Sequence, residues 1–371
     1  MTLGPVPFLD LGTVHRPLVG DLREAFERVL RGGSFILGAE VEAFESSCAL
    51  KLEVDHAVGV SSGTDALLAT LLALGVGPGD EVITTPFTFV STAEVILRVG
   101  ATVVFADIDP ISLCLDPESV EMLLTERTRA VIGVHLYGQP ALARSLANLC
   151  AIHGVAYVED ACQAFGARAG TSWAGTLGTA GCFSFFPAKP FGGFGDGGLV
   201  VTRDADLAER IRRIRVHGAT ARACHGMLGG NFRLDALQAA LLQVKLPHVA
   251  TWQAERERLA SRYREALACH PHLSPPMLRE PDLCHVYAVY TLRVPDRRDD
   301  LMGYLRAREI ESAIYYPSLL ADQPLFAGRC RMSELAEARR ASREVLSIPL
   351  YHGLEDTTQG RIIDALLQWS P

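Results

Sequence analysis

The chain has 371 residues, 49% hydrophobic and 21% charged, enough to bury two compact cores, and this excludes collagen-like, disordered and small disulfide-scaffold proteins. With 43 acidic against 35 basic side chains the net charge is −8, which argues against a broad nucleic-acid footprint. Nine cysteines without a C-x-x-C pair, standing singly in apolar segments (Cys48, Cys150, Cys182, Cys269), suit buried thiols in a reducing, cytoplasmic setting.

In chain order, residues 1–7 lack the basic and apolar blocks of a signal peptide. From about 55 to 215, short apolar segments alternate with amphipathic ones. The strand candidates are 57–60, 81–84, 102–106, 130–135, 155–159, 182–186 and 199–202, several of them continuous apolar runs, as strands buried on both faces should be. Helical patterns lie between them at 65–74, 91–99, 117–124, 141–153 and 205–216. The longest apolar stretch, 66–77, is too short for a membrane span. The arginine-rich run 210–215 reads as a solvated helix face. Residues 234–268 read as two helices interrupted at Pro247. Beyond them 285–294 alternates as a strand, 299–308 is helical, 312–316 is a short strand, and two helical stretches follow. The expected architecture is α/β: a large lobe (1–245) with a mostly parallel seven-stranded sheet between helices, and a smaller C-terminal α+β lobe (246–371). The N-terminal segment is a candidate to pack on the small lobe.

Three segments carry chemistry. Ser61-Ser62-Gly63-Thr64-Asp65-Ala66-Leu67 follows a strand and opens a helix, where small residues let an anion approach backbone N–H groups. The same residues also read as an ordinary helix start capped by Thr64 or Asp65. Val158-Glu159-Asp160-Ala161-Cys162-Gln163 ends an apolar strand on two carboxylates, where parallel sheets bind ligands. Asp160 alternatively caps a helix. In Cys182-Phe183-Ser184-Phe185-Phe186-Pro187-Ala188-Lys189-Pro190 a lysine stands just past an aromatic strand, before the glycine run Gly192–Gly198. A lysine in a closed, desolvated site can bond an aldehyde. The glycines match G-x-G-x-x-G formally, but a strand rather than a helix follows, so a dinucleotide site fails on context. An anion cradle, an acid at a strand end and a lysine among glycines are together what pyridoxal 5'-phosphate requires.

In order and wording these segments resemble the DegT/StrS family of sugar aminotransferases, which shares the aspartate-aminotransferase fold. The likeness also covers T-P-F-T-F-V-S-T-A-E at 85–94, H-L-Y-G-Q-P at 135–140, G-D-G-G at 195–198 and G-G-N-F-R-L-D-A-L-Q-A-A at 229–240; from 270 onward it is loose. It implies that Lys189 is the lysine bonded to the cofactor and that Asp160 partners the pyridine nitrogen. Gln163 would meet the phenolic oxygen, and Phe89 would stack on the ring. Gly63, Thr64 and Ser184 would hold the phosphate. Asn231 would reach the phosphate of a neighbouring subunit, so the resemblance implies a homodimer with shared sites. His135 and His217 read as structural, and Phe183, Phe185 and Phe186 as packing residues.

The implied reaction moves an amino group from an amino acid, glutamate, to a keto-sugar nucleotide. The F-F-P-A-K-P segment and Val286-Tyr287-Ala288-Val289-Tyr290-Thr291 resemble members that aminate the third sugar carbon. Phe186 and Pro187 would then wall the sugar, and Arg233 would meet a carboxylate of the donor or of a uronic-acid sugar, or else sit in a structural ion pair. Tyr316 is a further substrate candidate, although Tyr316-Pro317-Ser318-Leu319-Leu320 lacks the histidine of the family's Y-P-x-P-L-H. Alternatives are a 4-keto-sugar or cyclitol aminotransferase, a sugar dehydratase (a branch in which histidine replaces the lysine) and a non-catalytic regulatory relative. No metal site and no membrane partner are expected.

Overall fold

Seven of the apolar runs form strands: β1 (His56–Val60), β2 (Glu81–Thr84), β3 (Thr102–Phe105), β4 (Thr128–Val134), β5 (Ala156–Asp160), β6 (Ala180–Ser184) and β7 (Gly198–Thr202). The computed structural model describes residues 4–140 and 142–371; residues 1–3 and Ala141, on which the expected chain start and the helix at 141–153 begin, lie outside them. Two later strands, β8 (Tyr290–Arg293) and β10 (Val345–Ile348), pair antiparallel, Tyr290 opposite Ile348. Between them β9 (Cys330–Met332) returns to the large sheet and lies parallel to β3. The sheet therefore has eight strands, in the order β1-β7-β6-β5-β4-β2-β3-β9. Within it β7 runs antiparallel to both of its neighbours.

The sheet is sealed on both faces because successive side chains point to opposite sides. Val82, Val103, Ile132 and Val158 enter one core cluster. There they meet α3 (Gly63–Ala73), α4 (Ser91–Arg98) and α6 (Ala205–Ile214). Ile83, Val104, Val131 and Tyr157 enter another, against α5 (Ala143–His153). A third cluster joins α2 (Ala39–Leu52) to α7 (Ala236–Lys245), with Phe44 edge-on to Phe185. The tandem helices break at Leu246–His248, around Pro247, before α8 (Val249–Leu267).

Tyr263, Tyr290, Leu292, Leu346 and Trp369 centre a separate core, which also takes in Val6 and Val14 from the N-terminal segment. Val6 donates to Glu309 O (2.7 Å) and accepts from Glu311 N (3.0 Å), so this segment lies on the small lobe as an added bridge beside Ile310. It is covered by α9 (Arg298–Arg306) and α11 (Asp356–Gln368), while α10 (Ala336–Glu344) leads into β10.

Several details differ from the sequence expectations. The strand at 312–316 reduces to a single bridge between Ala313 and Ser347, and the strand at 285–294 to Tyr290–Arg293. Arg215, read as solvated, is buried; its Nη1 pairs with Glu45 and donates to Gly59 O at 2.9 Å. Cys269 is exposed rather than buried, and all nine cysteines are free thiols. Burial pushes the Cys150 thiol up to about 12, so it behaves as an inert core group. Among the described residues no helix is long and apolar enough to cross a membrane.

Candidate active site

The loops after β1, β2, β4, β5 and β6 leave the sheet at the same edge, because these five strands are parallel. They enclose a cavity of about 710 Å³. It lies at the carboxyl ends of the strands, where open α/β sheets bind ligands. Gly63, Thr64, Phe89, Asp160, Gln163, Ser184, Lys189 and Tyr316 all line it.

After β1 the helix α3 begins at Gly63, two residues earlier than expected, because Ser62 rather than Thr64 or Asp65 is its cap. Ser62 Oγ accepts from Asp65 N at 3.0 Å. That leaves the Gly63 and Thr64 amides, the first two of the helix, without an intrahelical acceptor. Thr64 Oγ1 shares a hydrogen bond with Ser91 Oγ (2.8 Å), and Ser184 ends β6 beside them. Ser184 and Cys162 crowd Gly63 so closely that an added Cβ would stand 2.7 Å from each. The result is a cradle of amides and hydroxyls at the positive end of a helix, made for an anion.

The two carboxylates at the end of β5 separate by the period-two rule. Glu159 points away from the cavity. It is fully buried and accepts from the amides of Gly175, Leu177 and Gly178 at 2.6–2.8 Å, with His135 Nε2 at 2.8 Å. His135 is thus structural, as its sequence context suggested. Asp160 faces the cavity and caps no helix, since a turn follows it. Its Oδ2 accepts from Thr92 Oγ1 (2.7 Å) and its Oδ1 from Cys162 N (3.2 Å), which fixes the carboxylate plane while each oxygen keeps a lone pair. Gln163 Oε1 accepts from Tyr137 N at 2.8 Å, so its NH2 is the end left to donate elsewhere. Burial, then the Asp160 carboxylate, push the Tyr316 phenol up from its ordinary value, keeping it a neutral donor.

Lys189 stands on a turn whose shape is set by backbone bonds. Lys189 N donates to Phe186 O (2.9 Å) and Gly193 N to Phe185 O (2.7 Å). Gly192 admits no side chain, because a Cβ would lie 2.3 Å from Pro187 O. From α7, Gln238 Oε1 accepts from Phe194 N (2.9 Å), and the buried Lys245 Nζ donates to Gly192 O. Phe183 and Phe185 pack in the core as expected, but Phe186 is half exposed and lines the cavity.

Asn231 and Arg233 do not line this cavity. Asn231 is exposed on a bridge to Val216, and Arg233 bridges Val60. Arg233 makes no ion pair within 4 Å among the described residues, so the structure does not give it the structural ion pair that was its alternative. Sequence reading missed Thr92, although it lies in the quoted 85–94 motif, as well as Phe8, Glu311 and Arg256, which line the cavity without any motif to mark them.

A lysine, a fixed carboxylate and an anion cradle around one cavity at the edge of a parallel sheet are what a pyridoxal-phosphate-dependent enzyme requires. The chain belongs to the DegT/DnrJ/EryC1/StrS aminotransferase family, whose model matches residues 18–367. It is 42% identical over 366 residues to a dTDP-3-amino-3,4,6-trideoxy-alpha-D-glucose transaminase of Streptomyces venezuelae (98% of this chain, 96% of the relative). It is likewise 42% identical over 368 residues to a pleiotropic regulatory protein of Geobacillus stearothermophilus (98% of each). A UDP-N-acetyl-3-dehydro-alpha-D-glucosamine 3-aminotransferase of Acidithiobacillus ferrooxidans is 40% identical over 361 residues (96% of each). Among solved structures, S. venezuelae DesV in complex with a ketimine intermediate superposes with a TM-score of 0.95 at 41% identity, covering 99% of both chains. Bacillus subtilis NtdA with bound cofactor PMP superposes at 0.91 and 29% identity, covering 99% of this chain and 85% of that one.

Family members are dependent on pyridoxal 5'-phosphate, and the residues present fit that group. The amide and hydroxyl cradle suits a phosphate, the Thr92-held carboxylate suits a protonated ring nitrogen, and Lys189 suits an aldehyde.

Proposed function

We propose that this chain transfers an amino group from glutamate to the third carbon of a keto-sugar nucleotide. The observation that carries this reading is the convergence of Lys189, Asp160, Gln163 and the Gly63–Thr64–Ser184 cradle on one cavity. The names of the S. venezuelae and A. ferrooxidans relatives, both acting at position 3, support the regiochemistry.

The cofactor, when bound, supplies an aldehyde and a ring that accepts electrons. Lys189 Nζ would hold the aldehyde, and as a free amine it would be the base that takes the proton from the donor's α-carbon and returns it to the product. Asp160 supplies the negative charge that keeps the ring nitrogen protonated, and Thr92 and the Cys162 amide keep that carboxylate aimed. The amides of Gly63 and Thr64, with the hydroxyls of Thr64 and Ser184, bind the phosphate. Gln163 offers its NH2 to the phenolic oxygen. Phe89, more than half exposed, offers a ring face, and Phe186 an apolar wall for the sugar.

The protein works as a cytoplasmic homodimer in which Asn231 and Arg233 serve the partner's site. Their position off their own cavity supports this, as does the exposed apolar set Phe26, Leu30, Phe35 and Ile36. A purely regulatory role, as in the name of the G. stearothermophilus relative, would leave Lys189, Asp160 and Gln163 without purpose.

The test offers matched 3-keto and 4-keto sugar nucleotides with glutamate to the cofactor-loaded enzyme and reads the aminated carbon by NMR. Clean amination of the 4-keto compound alone overturns the regiochemistry, and no amination of either overturns the reading.

A further inference from the structure

Among the described residues Lys189 and Arg256 are the two cationic side chains in the cavity lining, and the first is committed to the cofactor under the reading above. Arg256 comes from α8, on the small-lobe side, and is only 3% exposed. A buried guanidinium is normally paired with a carboxylate. Arg256 has none within 4 Å among the described residues. Its Nη1 donates to two main-chain carbonyls, Tyr287 O (2.9 Å) and Leu350 O (3.3 Å), and its Nε is buried without any acceptor. Its nearest titratable neighbours do not neutralise it by contact: burial keeps His352 and His15 uncharged, and Lys245 beyond them is a cation. His352 has both ring nitrogens unpartnered, and Lys245 shares a hydrogen bond with His15 (3.0 Å). Glu255, the neighbouring acid on α8, is engaged by Gly353 N at 3.0 Å. Glu311, on the cavity rim, is engaged by Phe8 N at 2.7 Å.

We propose that Arg256 is the cavity's carboxylate-binding residue, its Tyr287 and Leu350 contacts fixing the planar guanidinium so that the unpartnered edge meets an incoming carboxylate. A carboxylate can arrive on the amino-acid donor or on a uronic-acid sugar, and the chemistry of recognition is the same. This inference rests on the aminotransferase reading and places in the chain's own cavity a carboxylate contact of the kind the sequence suggested for Arg233, which does not line it.

The test compares the cofactor-loaded wild type with Arg256→Gln and Arg256→Lys. Three ligands are titrated calorimetrically: glutarate, an unreactive dicarboxylate, and a neutral and a uronic-acid keto-sugar nucleotide. Glutamate is titrated by the change in cofactor absorbance. In Arg256→Gln, glutarate and glutamate should weaken roughly 10- to 100-fold, the scale of a lost charge-assisted hydrogen bond. Arg256→Lys should restore part of that, and the neutral sugar nucleotide should bind within about twofold of wild type. Selective loss of the uronic-acid nucleotide would support the same chemistry with the sugar as its source. Unchanged binding of all carboxylates, or equal weakening of all ligands including the neutral sugar, would overturn the proposal and leave Arg256 a framework tie. Failure of wild type to respond to any amino acid while glutarate binding follows Arg256 would instead overturn the aminotransferase reading alone.

Discussion

Replacing Gly63 with alanine would drive a methyl group to 2.7 Å from both Cys162 Sγ and Ser184 Cβ. Ordinary carbon contacts lie at roughly 3.5–4.0 Å, so the first turn of α3 or the end of β6 must retreat by about 1 Å. Neither neighbour is a flexible chain end, because Cys162 stands two residues past the end of β5 and Ser184 is the last residue of β6. Overpacking of this kind costs about 1–3 kcal/mol. The displaced amides are those expected to hold the cofactor phosphate, and losing one charge-assisted bond there should weaken cofactor binding about 10- to 100-fold. Gly303→Ala is the control: it lies on the exposed face of α9 with nothing within 4 Å of its Cβ, and should gain about 0.5–1 kcal/mol. Equilibrium dialysis against pyridoxal 5'-phosphate, paired with thermal melts of both apoproteins, reads the two effects. If Gly63→Ala holds the cofactor as tightly as wild type, the cradle is not where the phosphate sits.

The remaining expectations are briefer. Lys189→Ala should lose its bound cofactor colour on dialysis and all amino transfer while melting like wild type, and retained turnover would refute the assignment. Asp160→Asn should bind cofactor yet turn over at least about tenfold more slowly, each pKa unit lost at the ring nitrogen being worth about 1.4 kcal/mol, as steady-state rates will show. Mixing inactive Lys189→Ala with inactive Asn231→Ala subunits should restore some activity, and no recovery after proven exchange would count against shared sites. Burial holds His285 down at about 3 and His352 at about 2, with Nδ1 of His285 accepting from Tyr287 N at 2.8 Å. The unfolded chain therefore takes up their protons first. Stability falls as pH drops from about 6.5 toward 3, by up to about 2.7 kcal/mol per pH unit for the pair. Urea midpoints of wild type against the His285→Gln/His352→Gln double variant, measured across that range, will check it.

The site was more legible than its surroundings. Lys189, Asp160, Gln163, Gly63, Thr64 and Ser184 are short-range features, each at a strand end or within five residues past one, and strand ends are marked by a change from apolar to small or polar residues. Glu159 and Asp160 looked equivalent in composition, and only their alternation on β5 sends one to the core and one to the cavity. Ser62 could not be told from Thr64 as the cap of α3, because both are hydroxyl residues at a helix start and local spacing favours neither. Arg256 is one of several charges on an ordinary surface-patterned helix, and its isolation from carboxylates exists only in three dimensions. Cys330–Met332 has no alternation long enough to read, and it becomes a strand solely because the open edge of β3 receives it.

That last strand has a consequence for how the polypeptide can be made and cut. The sheet edge beside β3 is finished only when residues 330–332 arrive, long after the rest of the sheet has left the ribosome. Until then Val103, Val104 and Phe105 present an unprotected, apolar ladder to any passing strand. A fragment ending near 245 would keep that ladder permanently bare and should aggregate, so cleavage between the lobes would not release a usable half. The C-terminal portion thus acts as an intramolecular shield for a surface that the N-terminal portion cannot cover by itself.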